Sequence, residues 1–66
     1  MNINKLKAKI VEKGMNVEAL ADVIGIDRSS LYRKLNNFEK ITIGEASRMK
    51  DALDMTEGEA SDIFLS

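Results

Sequence analysis

The chain has 66 residues, of which 44% are hydrophobic and 32% charged, and its formal net charge at pH 7 is −1. This length and mixture predict one soluble globular domain, and the short apolar runs and missing apolar leader favour the cytoplasm over export or a membrane. Because cysteine and histidine are both absent, the sequence offers neither a disulfide framework nor the usual zinc ligands, and no metal or other cofactor is expected.

Five helical segments can be predicted along the chain, with no convincing strand between them. The first covers about residues 3–13 and is followed by Gly14, which is placed to end it. Its apolar stripe consists of Ile3, Leu6, Ile10 and Val11.

The second and third helices are short and follow each other closely. Asn16 is placed to cap a helix over about residues 17–24, and Gly25 stands where a left-handed residue can end it. Asp27 then offers a carboxylate to the first amides of a helix over about residues 28–36. The apolar residues of the two helices are Val17, Leu20, Ala21 and Ile24, then Leu31 and Leu35.

The last two helices start at the same sequence signature. Thr42 with Glu45, and Thr56 with Glu59, have the Thr-x-x-Glu spacing of a capping box. They predict a fourth helix over about residues 43–53 and a brief fifth helix near the end of the chain. The apolar residues of these helices are Ala46, Met49 and Leu53, then Ala60, Ile63 and Phe64.

The corner between the second and third helices is typical of a helix-turn-helix. Gly25 lets the backbone reverse without a Cβ clash, Ile26 fills the inside of the turn, and Asp27 restarts the helix. With Leu31 and Leu35 marking the buried direction at about 100° per residue, the polar side of the third helix faces away from the core. The residues on or beside that outer side are Ser29, Arg33, Asn36 and Asn37, with Arg28 and Ser30 in the first turn and Tyr32 on a flank.

Such a helix has the dimensions and the side chains to read DNA. An α-helix fits the major groove, where its first turn reaches base edges and its amide end favours phosphate. Arg28 can donate two hydrogen bonds to a guanine, while Ser29 and Ser30 allow the backbone to come close. Tyr32 and Arg33, one turn later, can reach an outer base or a phosphate. The predicted phosphate contacts are Asn16, Lys34, Asn36, Asn37 and Lys40.

The small net charge hides an uneven distribution of charged residues. Residues 1–40 carry eight Lys and Arg against five acids, a balance of +3, whereas residues 41–66 carry two against six, a balance of −4. The predicted helix-turn-helix lies in the basic half, as a DNA contact requires. The lysines of the first helix, Lys5, Lys9 and Lys13, can serve as outer phosphate contacts or only as solvated charges.

Residues 16–33 resemble, position for position, the helix-turn-helix of the lambda-repressor-like, or Cro/repressor-type, proteins of phages and bacteria. The matching stretch is NVEALADVIGIDRSSLYR, with the small Ala21 at the helix crossing and the turn glycine. Residues 1–66 look like one complete domain of this kind, similar to small phage-encoded regulators of Gram-positive bacteria. The resemblance implies an all-α, compact five-helix bundle with its helix-turn-helix at about residues 17–36.

The resemblance also implies which residues contact DNA. The base-reading stretch would be Arg28, Ser29, Ser30, Tyr32 and Arg33. Asn36–Asn37 would belong to the loop that meets phosphate. Many members have a phosphate-contacting glutamine at the first position of the second helix, where this chain has Val17. We expect Val17 to pack against the first or third helix instead.

These observations predict a sequence-specific transcriptional regulator of the repressor or Cro type. Its partner would be a double-stranded DNA operator, and no small-molecule effector is expected. Because one helix-turn-helix reads only a few base pairs, a homodimer on DNA is expected.

Other functions are open at the level of sequence. A protein-binding adaptor, antirepressor-like or antitoxin-like, would present an apolar patch, for which Ile63, Phe64 and Leu65 are candidates. RNA binding would have few aromatic stacking platforms. No enzymatic activity is expected, because the chain lacks His and Cys and is too small for a sizeable substrate cavity.

Two of the predicted base contacts also have a purely structural interpretation. Tyr32 could rest its ring on Phe38, and Arg33 could form a surface salt bridge with Glu39. In that case the Tyr32 ring would only pack on the surface, the salt bridge of Arg33 would contribute little to stability, and neither side chain would contact DNA.

Overall fold

The structure, a computed structural model, describes residues 1–37 and 41–65. These residues form the helices α1 (Ile3–Glu12), α2 (Val17–Ile24), α3 (Arg28–Asn37), α4 (Ile43–Ala52) and α5 (Glu57–Phe64), and no strand. The predicted all-α fold is confirmed, and the bounds of the first four helices lie close to those predicted. Among the described residues, none of the helices has the length and apolar character needed to cross a bilayer.

Each of these helices begins beside a side chain that accepts a hydrogen bond from an amide of the first turn. These side chains belong to Asn2, Asn16, Asp27, Thr42 and Thr56. At α4 and α5 the reciprocal bond of the capping box is also present, from the threonine amide to Glu45 or Glu59. The caps satisfy amides that have no partner inside the helix. All of them are predicted from the sequence except Asn2.

The chain leaves α2 through a left-handed glycine. Gly25 has a φ of 78°, a conformation that is costly for residues with a Cβ. The amides of Gly25 and Ile26 both donate to the Ala21 carbonyl, at 2.9 and 3.0 Å. This bonding closes the helix and turns the chain sharply, so that Asp27 can start α3 only two residues later.

Apolar side chains from all five helices form one core. The buried residues are Leu6, Ile10, Leu20, Ala21, Ile24, Leu31, Leu35, Met49, Leu53, Met55 and Ile63. α2 packs against both α3 and α4, and α1 packs against α5. Ala21 of α2 is completely buried in this core. The helix-turn-helix is therefore anchored to the rest of the domain through α2.

Val11 does not belong to the core, so its place in the predicted stripe of α1 is wrong. Its side chain is 74% exposed. At about 100° per residue, Val11 lies about 140° around the helix axis from Leu6, whereas Ile10 lies only about 40° from it. α1 therefore turns Leu6 and Ile10 inward and leaves Val11 on the surface.

Candidate nucleic-acid interface

The outer side of α3 is open to solvent. Ser29, Arg33 and Asn36 are exposed, whereas Leu31 and Leu35 on the opposite side are 0% and 2% exposed. The two leucines fix α3 to the core, so the polar side chains project from a rigid support. A helix that reads base edges needs this arrangement, because its side chains must enter the major groove.

Arg28, in the first turn of α3, is held by Asp22 of α2. Its Nη2 donates to Asp22 Oδ2 at 2.8 Å, and its Nε donates to Asp22 Oδ1 at 3.4 Å. The hydrogen bond with Arg28 is the main reason why the pKa of Asp22 lies below its ordinary value. Both side chains are 58% exposed. Arg28 is thus on the surface, charged and oriented by its neighbour.

Tyr32, one turn further along α3, is held by Glu18 in the same way. Its hydroxyl donates to Glu18 Oε2 at 2.5 Å. This hydrogen bond is the main reason why the pKa of Glu18 is lowered and the pKa of Tyr32 is raised. The Tyr32 side chain is 41% exposed. The suggested contact of Tyr32 with Phe38 lies outside the described residues.

Arg33 has no carboxylate partner within residues 1–37 and 41–65. Its Nη2 donates to the hydroxyl of Ser30, three residues earlier on α3, at 3.1 Å. Ser30 itself is half-buried. The suggested salt bridge of Arg33 with Glu39 lies outside the described residues. Within the described residues, Arg33 is therefore a cation on the outer side of α3 whose charge no carboxylate neutralises.

Lys34 differs from the other polar residues of α3 because it is committed to an ion pair inside the domain. Its ammonium group contacts Glu45 of α4, and the two side chains are 24% and 13% exposed. The pKa of Glu45 is lowered, mainly because of this hydrogen bond with Lys34. To contact a phosphate as predicted, Lys34 would have to exchange this partner.

The start of α2 lies beside the same surface. Asn16 is exposed, and its Oδ1 accepts the hydrogen bond of the Ala19 amide at 2.8 Å, so its amide nitrogen is left for another partner. Val17 packs against the core, as expected for an apolar residue at this position. Asn37 is the last residue of α3, and Lys40 lies outside the described residues.

The sequence analysis did not single out Glu18 and Asp22, although both touch predicted DNA contacts. The signal that could have identified them is their spacing. Glu18 and Asp22 are four residues apart on α2, and their partners Arg28 and Tyr32 are four residues apart on α3. Residues at this spacing share one face of a helix, so two adjacent helices can form two successive contacts.

Positive charge is distributed unevenly among the described residues. The cations without a carboxylate partner there are Lys7, Lys13, Arg33 and Arg48. Arg48 donates to the Ile24 carbonyl at 3.2 Å, at the end of α2. Lys5 and Lys9 are paired with acids of α5, which weakens them as phosphate contacts.

No group of three or more acidic side chains is placed to hold a metal ion among the described residues.

The geometry defines a class of protein. Two helices joined by the Gly25 corner, with the second helix anchored by leucines and polar on its outside, form a helix-turn-helix. The family model of the Cro/C1-type HTH DNA-binding domain matches residues 5–63. The chain therefore belongs to this family, a family of DNA-binding domains that typically are not enzymes. Neither a curated protein nor a solved structure matches the chain.

Proposed function

We propose that this protein is a sequence-specific transcriptional regulator of the repressor or Cro type that places α3 in the major groove of double-stranded DNA. The observation that carries the proposal is the polar outer side of α3, with Ser29, Arg33 and Asn36 exposed opposite two buried leucines. A helix held in this way can be inserted into a groove without rearranging the core.

In the proposed mechanism, one set of residues contacts base edges and another set contacts phosphates. The first turn of α3, with Arg28, Ser29 and Ser30, is proposed to face the bases, and Tyr32 and Arg33 to reach the outer bases. The phosphate contacts are Asn16, Lys34, Asn36, Asn37 and Lys40. By occupying an operator the protein would block or redirect RNA polymerase in the cytoplasm of a bacterial host. A phage origin and a Gram-positive host are part of this proposal.

The regulator is proposed to act as a homodimer on DNA. One recognition helix reads a few base pairs, so useful specificity requires two half-sites about 34–36 Å apart. Leu65 and Ile43 are 81% and 91% exposed, beside the half-buried Phe64, and this apolar surface is available for a second copy. Sedimentation velocity with and without a duplex would measure the stoichiometry, with two chains per operator expected.

The experiment that tests DNA binding is fluorescence anisotropy with a mixed-sequence duplex over a series of salt concentrations. The logarithm of the binding constant should fall with the logarithm of salt concentration by about 0.9 per phosphate neutralised. Arg33→Ala should weaken binding, because it removes a cation from the outer side of α3 that is proposed to reach the outer bases. Lys5→Ala is the control, because it removes the same charge from a lysine already paired with Asp62.

A second candidate function, a protein-binding adaptor, is favoured only by the exposed Leu65 and Ile43. It predicts no binding, or salt-insensitive binding, to the duplex in the same titration. Replacement of Leu65 by Ser would then abolish capture of a partner protein while leaving the outer side of α3 unchanged. If the protein is instead the proposed regulator, a single chain of the Leu65→Ser variant should still bind the duplex.

A further inference from the structure

Two acidic side chains lie beside the helix that is proposed to enter DNA. Glu18 and Asp22 project from α2 toward α3, where each holds one of the proposed base-reading side chains. Carboxylates at such a position repel the phosphates of a duplex and therefore reduce non-specific affinity. For Asp22, the hydrogen-bonding edges of Arg28 provide a physical explanation of its presence here.

A guanidinium group has five N–H donors, arranged along edges that can be used separately. Asp22 accepts from Nε and from one hydrogen of Nη2, which together form one side edge of the Arg28 group. The end edge, formed by Nη1 and the second hydrogen of Nη2, is not used by Asp22. This end edge carries two nearly parallel N–H groups, the pattern that matches O6 and N7 of a guanine.

We propose that Asp22 is a specificity-determining residue, which orients Arg28 so that its end edge reads a guanine. This inference rests on the proposed function and assigns a role to a residue that need not touch DNA. An unrestrained arginine has many rotamers, and fixing it before binding reduces the entropy lost on the base. The Asp22 carboxylate also disfavours the competing contact of Arg28 with a phosphate, which carries no sequence information.

Glu18 provides an internal comparison for this proposal. It lies one turn from Asp22 on the same helix, and its carboxylate is bonded to the hydroxyl of Tyr32. Glu18→Gln therefore removes one negative charge from the same surface and leaves both Arg28–Asp22 hydrogen bonds in place. Asp22→Asn also removes one negative charge and also keeps the shape of the side chain. It breaks the pair of hydrogen bonds with Arg28, however, because an amide has only one acceptor oxygen.

The test uses the whole chain and a library of duplexes with a randomised central region. Selection and sequencing give the preferred site of the parent protein, and Arg28→Ala identifies the position that Arg28 reads. Affinities for the preferred site and for the site altered at that position are then measured for the parent, Asp22→Asn and Glu18→Gln. Thermal unfolding checks that the variants fold, which we expect because an exposed ion pair contributes little to stability.

We expect Asp22→Asn to reduce discrimination at the Arg28 position by about tenfold, while its affinity for mixed-sequence duplex rises. Glu18→Gln should raise the affinity for mixed-sequence duplex to a similar extent and keep the discrimination. Unchanged discrimination in Asp22→Asn, an equal loss in Glu18→Gln, or no guanine preference at the Arg28 position would overturn the inference while duplex binding stands. Absence of binding by the parent would instead reject the proposed function, and this inference with it.

Discussion

At the scale of single residues, Asp54 adopts a backbone conformation that is more favourable for glycine. Its φ is 50°, and it is the only non-glycine residue with a positive φ in the described part of the chain. The amide of Met55 donates to the Lys50 carbonyl at 2.9 Å, which repeats the bond from Ile26 to Ala21 after α2. α4 therefore ends with the geometry that glycine provides at the end of α2.

Replacement of Asp54 by Gly should stabilise the protein by about 0.5–1 kcal/mol, since glycine lacks the Cβ that is strained at this φ. The change also removes a negative charge from the C-terminal end of a helix, where the dipole disfavours it. Thermal unfolding followed by circular dichroism would measure the effect as a rise in Tm of a few degrees.

Asp54→Ala separates the two contributions, because it removes the charge but keeps the Cβ. A rise in Tm as large as that of Asp54→Gly would mean that the backbone is not the cause. Gly14→Ala is the reciprocal change, at a φ of 70° where an added Cβ would have no atom within 4 Å apart from those of Gly14 and its chain neighbours. With space available, its loss of about 1–2 kcal/mol would come from the backbone alone.

At the scale of secondary-structure elements, the start of each helix depends on bonds between residues three apart in the chain. At α4 the Glu45 amide donates to Thr42 Oγ1 at 3.0 Å, and the Thr42 amide donates to Glu45 Oε1 at 2.9 Å. Because both partners lie in one short segment, their spacing in the sequence is sufficient to predict the bond. The same reason explains why the predicted starts of α2 and α4 agree with those observed.

Thr42→Ala should destabilise the protein by about 1 kcal/mol, because it leaves an amide of the first turn of α4 without its partner. For a domain of this size, this corresponds to a decrease in Tm of about 4–8 °C. Thr42→Ser keeps the hydroxyl and serves as the control. Equal Tm values for the Ala and Ser variants would show that the cap does not limit stability.

At the scale of the whole molecule, the acidic α5 balances the basic α1. Lys9 Nζ lies 2.8 Å from Glu12 Oε2 and 2.5 Å from Glu59 Oε2, and Lys5 pairs with Asp62. The opposite charges of the two halves of the chain are therefore partly neutralised within the fold. The pKa of Glu59 is lowered to about 2, mainly because of the hydrogen bond from Lys9.

This shift predicts that the protein loses stability in acid. The folded-state pKa of Glu59 is lower than its ordinary value of 4.5, so its contribution is complete above about pH 4.5 and disappears as the pH falls toward 2. Glu59→Gln should reduce the pH dependence of Tm between pH 5 and 2, while a glutamine can still accept the capping bond of Thr56. Thermal unfolding at several pH values would measure both effects.

Lys9→Met provides the control for the pH experiment, because it removes the cation and keeps the carboxylate. The pH dependence should decrease in this variant as well, since the interaction with Lys9 is the main cause of the low pKa. A parent-like pH profile in both variants would exclude the Lys9–Glu59 pair as a source of acid sensitivity.

Much of the candidate interface could be predicted from the sequence. The buried direction of α3 follows from Leu31 and Leu35 alone, so the exposure of Ser29, Arg33 and Asn36 follows as well. The burial of Lys34 against Glu45 could not be predicted in this way. These two residues are on different helices, and their distance depends on how α3 and α4 are placed around the shared core.

The sequence by itself determined the helices, their caps, the Gly25 corner and the polar side of α3, because each depends on residues a few positions apart. Only the tertiary structure decided which charged groups are paired. The contacts of Arg28 with Asp22 and of Lys9 with Glu59 join separate helices. Their geometry is set by the packing of the whole core, which fixes how neighbouring helices lie against each other. The four-residue spacing on α2 and on α3 indicates which faces could pair, but it does not fix the contacts themselves.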